Sequence, residues 1–257
     1  AERSTPCGCC WFKPMVELRG EAKRRYVVDM FTRIARRYDV MNTLMTGGVH
    51  HLWRKRAVQV ATDGLAGRAL DVATGTGDLA LALARHPRID HAVGVDFLPQ
   101  MLHLGRAKAR ARGLAGKTTL LLADAQALPF RDGTFACVTA GFSLRNMIDP
   151  DGVIGALAEM VRVVRPGGRV TILELTPPPP GVASAPVRFY FHRLVPLLGQ
   201  LVVWDRSAYT YLPRSADHFM AADHLAGLFR KLGLADVGYL RMGLGTVAVH
   251  WGNRTEV

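Results

Sequence analysis

The chain has 257 residues, of which 49% are hydrophobic and 21% charged. That balance fills a sizeable core and excludes global disorder, and the length allows one large domain or one domain with appendages. The net charge is +12, and residues 1–60 hold 12 Lys/Arg against 5 Asp/Glu, so the basic end suits nucleic acid, an anionic membrane or merely a solvated surface.

Residues 1–20 have no periodicity and read as a flexible tail. Three of the four cysteines, Cys7, Cys9 and Cys10, crowd this stretch, and Cys137 stands alone. No Cys/His spacing matches a zinc site, so no metal is expected, and the thiols are read as reduced in a cytosolic chain. No charged start followed by an apolar run is visible, which argues against a signal peptide. Residues 21–66 read as a helical lid. Within it Val27, Met30, Phe31, Ile34 and Ala35 recur at helical spacing over Tyr26–Tyr38. A helix end is expected at Met41-Asn42, and Gly47-Gly48 precedes a second helix over His50–Ala61.

From Ala69 onward the pattern alternates. Strand Ala69–Ala73 leads to helix Asp78–Arg85, strand Ala92–Asp96 to helix Pro99–Arg112, and strand Thr119–Ala123 to Asp124. Strand Ala136–Ala140 leads to helix Asp151–Val164, and Pro166-Gly167-Gly168 reads as a sharp turn into strand Arg169–Leu175. Such alternation predicts a doubly wound, mostly parallel sheet with right-handed crossovers and ligands beyond the carboxyl ends of its strands. A four-proline spacer, Pro177–Pro180, precedes an apolar helix over Pro186–Trp204 and a loop at Tyr209–Pro213. Its longest uncharged piece, Leu194–Trp204, has 11 residues, against roughly 20 needed to cross a bilayer. Helix Ala221–Leu232 and the runs Ala235–Arg241 and Gly245–Gly252, read as an antiparallel pair, close the chain.

The organising stretch is A-L-D-V-A-T-G-T-G-D-L-A-L-A-L-A, residues 69–84. Gly75 and Gly77 open the backbone to a ligand, and a helix start follows with free N–H groups. Asp71 leads the turn and is taken, with the turn residues, as a cofactor contact, and Asp96 stands 21 residues after Gly75, where a ribose hydroxyl pair would be held. Gly75, Gly77 and Ala80 also fit the dinucleotide fingerprint. The segment Asp124-Ala125-x-x-Leu128-Pro129-Phe130 favours S-adenosylmethionine over NAD, since an Asp there can accept from the adenine amino group while the Ala125 N–H meets the ring.

The run Val28-Asp29-Met30-Phe31-Thr32-Arg33-Ile34-Ala35-Arg36-Arg37-Tyr38-Asp39-Val40-Met41-Asn42, then Gly47-Gly48 and Trp53-Arg54, resembles the N-terminal signature of the ubiquinone/menaquinone biosynthesis C-methyltransferases. So do Phe142-Ser143-Leu144-Arg145-Asn146 and Tyr209-Thr210-Tyr211-Leu212-Pro213-Arg214-Ser215. The resemblance covers about residues 26–253. It implies a Rossmann-like class I methyltransferase with a seven-stranded sheet, a domain spanning 67–253, and a substrate-covering helix and loop at 183–219. It also implies S-adenosylmethionine as cofactor and methyl transfer to a ring carbon of a polyprenylated quinol, with either a naphthoquinol or a methoxybenzoquinol head group; the Arg/Ala-rich composition favours demethylmenaquinol.

The family's cofactor contacts carry over to Thr76, Asp96, Asp124 and Ala125. A further one, commonly a serine, falls on Gly141, where its side-chain bond is missing. Tyr38 and Asn42, with Asp39, are expected to close over the cofactor. Arg145 is expected to stabilise a phenolate at the reacting ring, with Asn146 orienting the hydroxyl. Phe142, Tyr209 and Tyr211 are expected to flank the substrate, with His192 a candidate proton acceptor. The enzyme is expected in the cytoplasm, docked peripherally on the inner face of the membrane, without nucleic acid; a homodimer stays open. The rival readings are a methyltransferase of secondary metabolism and a basic nucleic-acid-binding protein, the latter without a recognised reading motif.

Overall fold

A computed structural model describes residues 20–147, 149–177 and 219–256. Three helices come first: α1 (Gly20–Ile34), α2 (Tyr38–Thr46) and α3 (His50–Thr62). A 3-10 turn, Ala35–Arg37, separates α1 from α2. The helix end expected at Met41-Asn42 is therefore displaced. Met41 and Met45 are both buried, one helical turn apart, and they carry α2 on to Gly47, whose φ of +56° ends it in the left-handed region.

The rest alternates as the sequence predicts: β1 (Gly67–Val72), α4 (Asp78–Ala84), β2 (Ile89–Asp96), α5 (Pro99–Ala111), β3 (Thr118–Leu122), β4 (Phe135–Gly141), α6 (Asp149–Val163), β5 (Val164–Leu175), α7 (Ala222–Lys231), β6 (Leu234–Met242) and β7 (Val247–Arg254). The seven strands lie in the order β3-β2-β1-β4-β5-β7-β6. All pairs are parallel except those of β7, which runs antiparallel to both β5 and β6. The sharp turn expected at Pro166-Gly167-Gly168 is instead an irregularity inside β5, which already pairs with β4 at Val164.

Runs such as Ala69–Val72 are buried because helices cover both faces of the sheet. One apolar layer joins Leu70, Val72, Phe135, Val138, Leu157 and Phe229; the other joins Ala57, Ala61, Leu83, Ile89, Leu173 and Val249. Each large side chain so buried contributes about 1.5–3 kcal/mol. The strand order reverses between β2-β1 and β4, so the carboxyl ends of β1 and β4 stand side by side. That is where a doubly wound sheet opens a crevice. Among the described residues no helix is long and apolar enough to cross a membrane.

Candidate active site

At that edge lies a cleft lined by residues from several strand ends and from the N-terminal helices. Its floor is Ala73, Gly75, Gly141, Phe142 and Ser143, from the ends of β1 and β4. One wall is Asp96, Phe97, Leu98 and Met101, and another is Asp124, Ala125 and Gln126. Val27 and Phe31 of α1 and Tyr38 of α2 roof it, and Asn146 and Met147 close the far side. Both central strands end on a non-glycine residue with positive φ, Ala73 at +52° and Phe142 at +56°. Such residues are strained and cluster at functional sites. Both line the cleft.

The glycine turn is held from two sides. Gly75 has φ +56°, and nothing lies within 4 Å of where a side chain would start, so its backbone is open to a ligand. Its N–H donates to Asp96 Oδ2 at 2.8 Å, while Leu98 N–H donates to Asp96 Oδ1 at 2.9 Å. Asp96 thus anchors the turn and the start of α5. The Phe97 N–H also donates to this carboxylate, which has about four acceptor positions and so keeps one for a ligand. Burial lifts its pKa above the ordinary value, against the backbone bonds that lower it.

Asp71 does not line the cleft. It is 1% exposed beneath the turn, and accepts from Thr74 Oγ1 at 2.5 Å, from Thr139 Oγ1 at 2.8 Å and from the Ala80 N–H. Burial pushes its pKa up to about 6, despite those bonds. The expectation of a direct cofactor contact is thereby corrected. Asp71 ties β1, the turn and α4 together, and the positive end of α4 is met by the chain's own carboxylate.

Thr76 and Gly77 also lie outside the cleft lining. The Thr76 hydroxyl donates to Asp39 Oδ1 at 2.7 Å and accepts from Lys108 Nζ at 2.9 Å. Gly77, φ +80°, caps α4. Asn42 lies one turn beyond Tyr38 on α2 and does not reach the cleft lining. The Asp124 carboxylate accepts from Gln126 N–H at 2.9 Å, forming a tight turn that presents Ala125 and Gln126 to the cleft. Gly141 would place a side-chain carbon 3.3 Å from Leu79 Cδ2. A serine here therefore needs Leu79 to give slightly.

Arg145, expected at the reacting ring, is engaged by partners of its own chain. It is buried, and its Nη1 donates to Glu174 Oε1 at 2.5 Å and to the Phe142 carbonyl at 2.9 Å. It does not line the cleft, whereas its neighbour Asn146 does. Phe142 is flanked by Trp53, with ring centroids 6.3 Å apart, and by the Arg54 guanidinium at 5.9 Å. Tyr209, Tyr211, His192 and the segment 183–218 lie outside the described residues, as does the cysteine-rich start. Sequence reasoning missed Lys108 and Glu174. Nothing local marks Lys108 among the other basic residues of α5, and Glu174 is an acid within an otherwise apolar strand run.

The sheet, the glycine turn and the acidic strand end define a class I methyltransferase fold. Solved structures agree on that fold. A putative S-adenosyl-L-methionine-dependent methyltransferase of Methanococcus maripaludis superposes with a TM-score of 0.61 at 14% identity, over 87% of this chain and 93% of that one. A methyltransferase of Thermotoga maritima gives 0.59 at 18% identity, over 89% and 100%.

The chain belongs to the ubiE/COQ5 methyltransferase family, whose model matches residues 19–254. It is 44% identical to a demethylmenaquinone methyltransferase of Thermus thermophilus, over 88% of this chain and all of that one. It is 43% identical to a ubiquinone/menaquinone biosynthesis C-methyltransferase of Desulfotalea psychrophila, over 88% and 89%.

Proposed function

We propose that the chain is an S-adenosylmethionine-dependent C-methyltransferase acting on a polyprenylated quinol, with demethylmenaquinol the preferred head group. The observation that carries the reading is the Asp96–Gly75 bond at the wall of the cleft beyond the strand ends, in a chain akin to demethylmenaquinone methyltransferases over most of its length. Bound S-adenosylmethionine supplies an electrophilic methyl group on a sulfonium.

The residues present fit such a molecule. Asp96 would accept from the ribose hydroxyls and Asp124 from the adenine amino group, and the open backbone at Gly75 would let the cofactor approach the main chain. Tyr38 and Phe31 roof the cleft. A neutral quinol ring is a poor carbon nucleophile, and loss of a hydroxyl proton to water spreads phenolate charge to the adjacent carbon. Asn146 faces the cleft and orients that hydroxyl. Arg145 is too basic for proton abstraction and has its charge met by Glu174, so it serves by holding the turn that carries Phe142 and Asn146.

The substrate's prenyl tail stays in a bilayer, and the chain meets it at a basic, apolar corner. Val40, Leu44, Val49 and Leu52 are exposed on α2 and α3, beside exposed Arg36, Arg37, Lys55 and Arg56. Such charges near an anionic surface contribute about 1 kcal/mol each. The test presents demethylated naphthoquinol or benzoquinol in neutral and anionic vesicles with labelled methyl donor. Faster transfer to the naphthoquinol in anionic vesicles is expected. Equal rates for both head groups overturn the preference, and equal rates in both vesicles overturn the electrostatic docking.

A further inference from the structure

Lys108, on α5, directs its ammonium to acceptors on three other segments. It lies 2.7 Å from Asp39 Oδ2 on α2, 2.7 Å from Asp78 Oδ1 at the start of α4, and 2.9 Å from Thr76 Oγ1 in the glycine turn. The Thr76 hydroxyl completes a ring by donating to Asp39 Oδ1 at 2.7 Å. An ammonium has three N–H donors, so all are used. The Lys108 side chain is 15% exposed and that of Asp78 13%, which sets this cluster apart from a solvated surface pair of little worth. Burial alone would raise the Asp78 pKa; Lys108 and Arg54 outweigh it and hold the carboxyl below its ordinary value.

The elements joined here are those that make the cleft. Helices α1 and α2 contribute its roof through Val27, Phe31 and Tyr38. Their apolar seat on the start of α5 has buried Ala35 packed with Leu98 and Met101, beside Val28, Phe31, Tyr38 and Leu104. The glycine turn contributes the floor at Gly75, next to Thr76. None of Asp39, Thr76 and Lys108 lines the cleft.

We propose that Asp39 and Lys108 are positioning residues which clasp the N-terminal roof to the glycine turn, so that roof closure and cofactor affinity depend on one another. This rests on the reading of the cleft as the S-adenosylmethionine site. A cofactor that needs both floor and roof binds only the clasped arrangement tightly. By linkage its binding strengthens the clasp to the same degree.

The test is titration calorimetry of S-adenosylmethionine on the full chain, with Asp39→Asn, Lys108→Met and the double variant. Asp39→Asn is nearly isosteric and its side chain is 40% exposed, so that variant folds. Each single change should weaken binding about tenfold or more, as expected for bonds between charged groups. The double variant should be no weaker than the worse single one, because the pair acts as a unit. The cofactor should slow proteolysis within residues 20–46 of the wild type and fail to do so in the variants. Single variants that bind within about twofold of wild type, or losses that simply add, overturn the clasp. A wild type that binds no S-adenosylmethionine overturns the cofactor reading itself, and the proposal with it.

Discussion

Glu174 holds Arg145 in a buried pair. One carboxylate oxygen accepts from the guanidinium at 2.5 Å and from the Leu175 N–H at 2.8 Å, and the other accepts from the Arg145 N–H at 3.4 Å. The side chains are 4% and 1% exposed. Strand β5 thereby fixes the 3-10 turn Leu144–Asn146 at the end of β4. Breaking such a pair from one side leaves a buried charge uncompensated. Glu174→Ala should cost about 3–5 kcal/mol in urea denaturation, and Arg145→Met combined with Glu174→Leu should recover most of that. Losses that add across the two sites would show that the pair is not coupled.

The same turn places Asn146 at the cleft. Removing a donor aimed at developing negative charge costs about 100-fold or more in turnover. Asn146→Ala should show such a loss while S-adenosylmethionine affinity and stability stay near wild type. Arg145→Ala should lower turnover and stability together, because Phe142 and Asn146 lose their support. An Asn146→Ala enzyme of normal turnover would remove Asn146 from the chemistry.

Asp96 has two duties, ligand acceptor and anchor for Gly75. Asp96→Ala should reduce cofactor affinity by about 2–4 kcal/mol, given roughly 1.5–3 for each bond to a charged group. Asp96→Asn should also bind weakly, since an amide cannot accept at both of its termini from Gly75 and Leu98. Calorimetry checks both, and unchanged affinity in either variant would mean that the ribose is held elsewhere.

Asp71 provides a pH signature. Its carboxyl has a pKa of about 6 in the fold against 3.8 ordinarily. Between those values the folded chain binds more protons than the unfolded one, so this group's contribution falls as pH rises through the window. His50 and His250, both lowered to about 4 chiefly by burial, act the other way, and stability rises from about pH 4 to 6.5 on their account. The comparison of wild type with Asp71→Asn cancels the histidines. The variant should gain about 3 kcal/mol relative to wild type between pH 4 and 7, from roughly two units at 1.36 kcal/mol each. Parallel stability curves would show that Asp71 does not titrate there.

The strands, the glycine turn and the 21-residue reach from Gly75 to Asp96 were legible because each depends on local pattern and a fixed crossover. The length of α2 was not, because Met41-Asn42 looks like a helix end until Met41 and Met45 are seen buried together. The direction of Arg145 depends on Glu174, 29 residues later on the neighbouring strand. The clasp is harder still to read. Asp39, Thr76 and Lys108 come from three distant stretches, and Lys108 resembles every other basic residue of α5 until the fold brings them within 3 Å.

The central claim is methyl transfer to carbon. It is tested most directly by incubating the full chain with methyl-labelled S-adenosylmethionine and a demethylated prenylnaphthoquinol, then locating the label by NMR. The account predicts one label on the ring carbon, with both hydroxyls free. A methyl ether, or cofactor binding with no transfer to any quinol, would contradict it.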